Sequence, residues 1–135
     1  MAGVWRTLFD RVRWPEESRR SADDRQGQAR GLWLLTSNLS LAQRHQFARY
    51  GYFDVIGGDT GRRYRIHNGR TLNVAELNAS GGCVRLLCIE PEGTLPVGDV
   101  MLAQKVALEL FESEAITLAN ASSGWNLNSV LDRLR

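Results

Sequence analysis

Apolar and polar residues alternate in four short runs, Phe53-Asp54-Val55, Tyr64-Arg65-Ile66, Leu72-Asn73-Val74 and Val84-Arg85-Leu86. Turn residues separate them: Gly57-Gly58-Asp59-Thr60-Gly61, Asn68-Gly69 and Ser80-Gly81-Gly82. A period of two bounded by Gly and Asn predicts antiparallel strands with one buried face. The strands are expected at about 52–57, 62–67, 71–77 and 83–89, and the short connections pair neighbours in order. Asn68-Gly69 is read as a two-residue type I′ turn, which needs positive φ at both positions. Before the sheet, Ser40-Leu41-Ala42-Gln43 has the form of a capping box. It predicts a helix from Leu41 to Tyr50 ending at Gly51, with Leu41, Phe47, Ala48 and Tyr50 buried. After the sheet, Asp99 is read as the N-cap of a second helix. Val100, Leu102, Ala103, Val106, Ala107, Leu110 and Phe111 form its expected core face. Gln104, Lys105, Glu109 and Glu112 fall on the other side. A short helix over about Glu114 to Ala119 and a loop over 120–124 follow. The predicted fold is α+β: a helix, a four-stranded antiparallel β-meander and a C-terminal helix packed on the sheet.

The ends of the chain read differently. Val4, Trp5, Leu8, Phe9 and Val12 recur at helical spacing among Arg6, Asp10, Arg11 and Arg13, and Pro15 ends the pattern. Glu16 to Arg30 is polar and reads as a linker or a solvated helix. Leu32 to Leu35 re-enters the core as a helical turn or a short strand. Trp125, Leu127, Val130, Leu131 and Leu134 form a terminal amphipathic segment. The expected organisation is an N-terminal segment and linker over 1–30, a core domain over 31–120 and a tail over 121–135. The face from Val4 to Val12 is short and its charges are mixed, which suits packing or protein docking better than a membrane surface.

Composition sharpens this only in places. A chain of 135 residues with 43% hydrophobic content can build one modest core. The net charge of +2 selects no partner, but residues 44–85 carry seven Arg against three acids, while 86–135 carry three bases against seven acids. That asymmetry marks either two binding faces or an internal balance. No run is long and apolar enough for a membrane helix. Cys83 and Cys88 are the only cysteines, and a strand separation of five places them on opposite faces. Reduced thiols and the absence of an apolar signal core lead to a cytoplasmic expectation.

Catalytic and cofactor patterns are missing: no Walker-type phosphate loop, no His-Glu-x-x-His, no Cys-x-x-Cys and no Gly-x-Ser-x-Gly. The glycine-rich run at 57–61 joins two strands, so it reads as a turn and not as a phosphate loop. His45 and His67 read as surface residues, and Asp54 and Asp59 as a strand position and a turn residue. No catalytic residue, cofactor or metal is expected. The remaining candidate surface is the basic hairpin of Arg62, Arg63, Arg65, His67 and Arg70. Alternation puts Arg63, Arg65 and His67 on one face, opposite Tyr64 and Ile66. Such a row could track phosphates with Tyr52 stacking on a base, or could be an ordinary solvated face.

The order of strand, strand, Cys-bearing strand, Leu95-Pro96-Val97-Gly98-Asp99 and an Ala-containing helix resembles the SWIM zinc-finger pattern over about 62–109. Leu86-x-Cys88 and Val97-x-Asp99 occupy its two ligand pairs, and only Cys88 is a competent ligand, so the resemblance implies a related topology with apolar packing in place of zinc. Over about 33–120, the Phe-Asp-Val, Tyr-Arg-Ile and Leu-Pro-Val-Gly-Asp segments also resemble small uncharacterised bacterial proteins, which implies no activity. These readings together predict a non-enzymatic protein-binding or adaptor module, with a nucleic-acid-binding accessory protein as the alternative.

Overall fold

A computed structural model describes residues 21–122. Within them lie α1 (over 21–37), α2 (Leu41–Tyr50), β1 (Tyr52–Ile56), β2 (Arg63–His67), β3 (Val74–Leu77), β4 (Cys83–Leu87), α3 (Val97–Leu110) and α4 (Glu112–Ser122). The sheet is an antiparallel meander in the order β1-β2-β3-β4. The α+β architecture read from the alternation is therefore the observed one. The face from Val4 to Val12 and the segment from Trp125 to Leu134 lie outside the described residues.

One face of the sheet carries the core. Phe53, Val55, Tyr64, Ile66, Val74 and Leu87 meet Leu35 and Leu39 from and just after α1, Met101 and Leu108 from α3, and Ala119 from α4. Burying these side chains supplies the main stabilising term. α1 is continuous from 21 through 37, so the polar run after residue 20 and the Leu32–Leu35 segment belong to one helix. It crosses the start of α3 with backbones in contact: Gly31 and Gly98 face each other, and a Cβ on Gly98 would collide with the Gly31 carbonyl group.

That crossing corrects the expected start of α3. The helix opens at Val97 with Pro96 at the cap, and Asp99 lies inside the first turn. Pro96 offers no side-chain cap, but Gln28 of α1 accepts a hydrogen bond from the Val97 N–H at 3.1 Å. Asp99 still suits its place, since a carboxylate in the first turn opposes the positive end of the helix dipole.

α2 keeps its predicted ends and changes its role. Ser40 accepts from Gln43 N–H, Gln43 reaches back to Ser40 N–H, and Gly51 closes the helix at φ 72°. Yet no residue of α2 is fully buried, and Leu41, Ala48 and Tyr50 are exposed. Phe47 alone of the four expected contacts packs against the core, edge-on to Phe53 at 6.0 Å. The reason is position: α2 lies along the outer edge of β1. Gln43 Nε2 donates to the Asp54 carbonyl and Gln46 Oε1 accepts from the Asp54 N–H, each at 2.9 Å. Two glutamines thus act as the missing neighbour strand and seal an edge that would otherwise attract another chain.

The β2–β3 connection is also corrected. It is not a two-residue type I′ turn but a loop over 68–72, closed by His67 N–H donating to Asn73 C=O at 2.8 Å. Positive φ occurs at Gly69 (153°) and Leu72 (51°). Asn73 Nδ2 holds the loop from inside, sharing a hydrogen between the carbonyls of His67 and Gly69, each at 3.0 Å. A side-chain amide replaces the local turn that Asn-Gly usually makes.

Candidate functional site

Three features have enough chemistry to be weighed as sites. The first is the glycine-rich β1–β2 turn. The N–H groups of Asp59 and Thr60 converge on one carboxylate oxygen of Glu112 at 2.8 Å, while the Thr60 hydroxyl and the Tyr64 hydroxyl (2.7 Å) donate to the other. Asp59 answers by accepting from Ser113 N–H (3.0 Å) and Ser113 Oγ at the start of α4. A Cβ at Gly57 would occupy the space of the Glu112 carboxylate, and one at Gly58 would strike the Glu109 carbonyl. The loop is therefore an anion nest, and its anion is the protein's own side chain. Burial pushes the Glu112 pKa up, but the donors from Thr60, Tyr64 and Asp59 outweigh it and hold it at about 2. Tyr64 is driven upward, by burial first and by Glu112 next. Every oxygen is engaged within the fold, so this is a latch joining the hairpin to the α3–α4 corner. Glu112 was expected on the solvent side and is instead 2% exposed.

A second correction lies on α3. Gln104 is fully buried, whereas Val106, Leu110 and Phe111 are exposed. The inward residues are Val97, Val100, Met101, Leu102, Gln104 and Leu108, so Val100 and Leu102 keep their expected places. Gln104 and Asn73 exchange two hydrogen bonds at 2.8 Å, and Gln104 Nε2 also donates to the Ile89 carbonyl at 2.8 Å. With its amide satisfied, glutamine is as acceptable in the core as an apolar residue.

The second feature is the basic strand face. Arg63, Arg65 and His67 do share the outer face, with Tyr64 and Ile66 fully buried on the other. Arg65 grips Asp54 through two hydrogen bonds, 2.8 and 3.1 Å, and its guanidinium lies 4.0 Å above the Tyr52 ring. The bond to Asp54 raises the Arg65 pKa. Tyr50 stacks on Tyr52 at 5.3 Å, and His67 meets it edge-on at 5.5 Å. Tyr52 is thus engaged by its own neighbours and presents no open ring for a base. Desolvation of the His67 ring, then the neighbouring Arg65, lowers its pKa and favours the neutral form. Arg62 departs from the row: it pairs with Glu76 at 3.4 Å, and Glu76 also binds Arg85. Arg70 sits in the 68–72 loop. The structure brings three of the five basic residues together and engages Arg65 with an acid.

The third feature was not legible in the sequence. Residues 88–92 after β4, the second half of α3 and one side of α4 enclose an open groove of about 510 Å³. Its apolar lining includes Ile89, Pro91, Ala107, Phe111, Ala115 and Leu118. Phe111 is 56% and Leu118 70% exposed at its rim. Among the described residues, the charged ones along it are all acidic: Glu90, Glu92 and Glu114. Cys88 also lines it, while Cys83 is exposed on β4, and neither is in a disulfide.

Among the described residues, no three His, Cys, Asp or Glu side chains gather where they could hold a metal ion, and no helix is long and apolar enough to cross a membrane. No family model, curated protein or solved structure matches the chain.

Proposed function

We propose that the protein is a non-enzymatic, cytoplasmic protein-binding module, and that its docking surface is the groove between α3, α4 and residues 88–92. The observation that carries this reading is the pairing of a concave apolar lining with an acidic rim. Large exposed apolar side chains around a cleft are the usual mark of an interaction site. The partner that fits is an amphipathic helix with bulky apolar anchors and basic flanks, laid along the groove. Glu90, Glu92 and Glu114 would guide such a helix and set its orientation. The unpaired cysteines support the cytoplasmic reading. The alternative, a nucleic-acid-binding accessory protein using the outer strand face, is weakened by the engagement of Arg65 with Asp54 and of Tyr52 with Tyr50.

The test is capture from a native extract, with and without nuclease, by wild type, Leu118→Glu and the double variant Arg63→Glu, Arg65→Glu. The expected partner survives nuclease, is lost with Leu118→Glu and is retained by the double variant. Once purified, it should bind wild type alone with the same dependence. Capture that nuclease abolishes, or that only the double variant loses, would move the function to the strand face.

A further inference from the structure

The groove runs alongside α4, and α4 leads directly into residues 123–135. Glu114, Ala115, Leu118 and Ala119 of α4 line it at spacings of one, four and five from Glu114, a single helical stripe, with Phe111 at the break just before α4. From Glu114 to Ala119 this stripe is about 7.5 Å long at 1.5 Å per residue, and Phe111 extends it at the corner. The chain that follows carries Leu127, Val130, Leu131 and Leu134 at helical spacings of three, four and seven. A helix over those positions would present an apolar stripe of about 10.5 Å. Ser123 and Gly124 supply a connection of the length that joins antiparallel helices.

Charge fixes the direction. A segment returning antiparallel to α4 starts beside Leu118 and Ala119 and ends beside Phe111 and Glu114. Its last residues, Arg133 and Arg135, then reach the acidic rim at Glu114. The apolar anchors and basic end are the chemistry expected of a partner helix, supplied by the same chain and tethered a few residues from the site. Tethering gives such a segment an effective concentration in the millimolar range, ahead of most free partners.

We infer that residues 125–134 occupy the groove intramolecularly as an autoinhibitory helix, which a protein partner of the same chemistry must displace. This builds on the docking reading above, but it is judged by an independent readout. Cys88 lies in the groove and Cys83 outside it, so the full chain carries both a reporter and a control. The labelling rate of each thiol by N-ethylmaleimide is measured by mass spectrometry of peptides from the full-length protein. Leu131→Asp should raise the Cys88 rate roughly fivefold or more, the factor expected from loss of about 1 kcal/mol of local protection, with Cys83 unchanged. Arg133→Glu with Arg135→Glu should raise it about twofold, as for loss of exposed ion pairs.

A Cys88 rate unchanged in both variants would overturn the inference, and capture through Leu118 would still stand or fall on its own. Wild-type Cys88 reactivity that climbs on dilution would place a second copy's tail in the groove and also overturn the intramolecular assignment. Protected Cys88 together with no Leu118-dependent partner would sink the docking reading while keeping the tail in the groove.

Discussion

Phe111 and Glu112 are adjacent in the chain, and their surroundings are the reverse of their chemistry. The aromatic ring is 56% exposed and the carboxylate 2%. Glu112 is buried because four donors from the β1–β2 turn and β2 converge on it, replacing the water it loses. Phe111 is exposed because the groove it borders has no other described segment lying across it. The α3–α4 corner thus serves two purposes from consecutive positions: one side chain fastens the helices to the sheet, and the next opens onto a cleft. Polarity alone did not decide burial here. The supply of partners did.

The largest effect expected from breaking this contrast comes from Glu112→Ala. It leaves the N–H groups of Asp59 and Thr60 and the hydroxyls of Thr60 and Tyr64 facing a void. A buried donor left without its acceptor costs about 1–3 kcal/mol, so losing the acceptor these four donors share should cost on the order of 3–5 kcal/mol. Chemical denaturation should show this as a large fall in midpoint with an unchanged slope. A loss below about 1 kcal/mol would mean that water replaces the carboxylate and that the latch is dispensable.

Acid should open the same latch without mutation. The folded pKa of Glu112 is held near 2, below its ordinary value of 4.5. A depressed carboxylate contributes stability that is fully present above the unfolded value and is lost as pH falls through the folded one. The window is therefore from about pH 4.5 down to 2, and the contribution at stake is on the order of 3 kcal/mol. In Glu112→Ala this part of the pH dependence should vanish. Parallel stability curves for the two proteins between pH 5 and 2.5 would assign the acid sensitivity to other carboxylates.

The same contrast explains which parts of the structure could be read in advance. β1 and β2, the Ser40–Gln43 capping box and the Gly51 stop were legible because each depends on residues within a few positions of one another. The alternation misread β3 and β4: Leu72 and Asn73 fall before β3, Val74 to Leu77 are all buried, and Leu87 faces the core while Val84 is exposed. Gln104 and Glu112 were misplaced because their partners lie far away in sequence: Asn73 is 31 positions from Gln104, and Asp59 is 53 from Glu112. Their polarity was visible and the donors waiting for them were not. The start of α3 failed for the same reason, since its cap comes from Gln28, 69 positions away. At Asn68-Gly69 a strong local signal lost to the Asn73 side chain, which stabilises a longer loop. The basic strand face was correctly assigned to one side, but its pairing with Asp54 depended on the β1–β2 register. The groove was hard to read locally, because three separate elements form it. One clue was present: Leu110 and Phe111 extend the apolar pattern of α3 beyond the inward stripe that ends at Leu108, and an apolar surplus of this kind can signal an outward-facing surface.

The smallest expected effect sharpens the comparison from the exposed side. Leu110 ends α3, is 67% exposed, and lies two residues from the buried Glu112 without lining the groove. If local surroundings and not residue type set the stability cost, Leu110→Gln should change unfolding free energy by no more than about 0.5 kcal/mol. Leucine and glutamine have similar helix propensities, so the backbone contributes little to the difference. The substitution is chemically as drastic as replacing a core leucine with glutamine, yet it should move the denaturation midpoint far less than Glu112→Ala. A measured loss above about 1.5 kcal/mol would show Leu110 buried in solution by another segment or another copy. Concentration dependence of the loss would then separate those two, since only association with a second copy weakens on dilution.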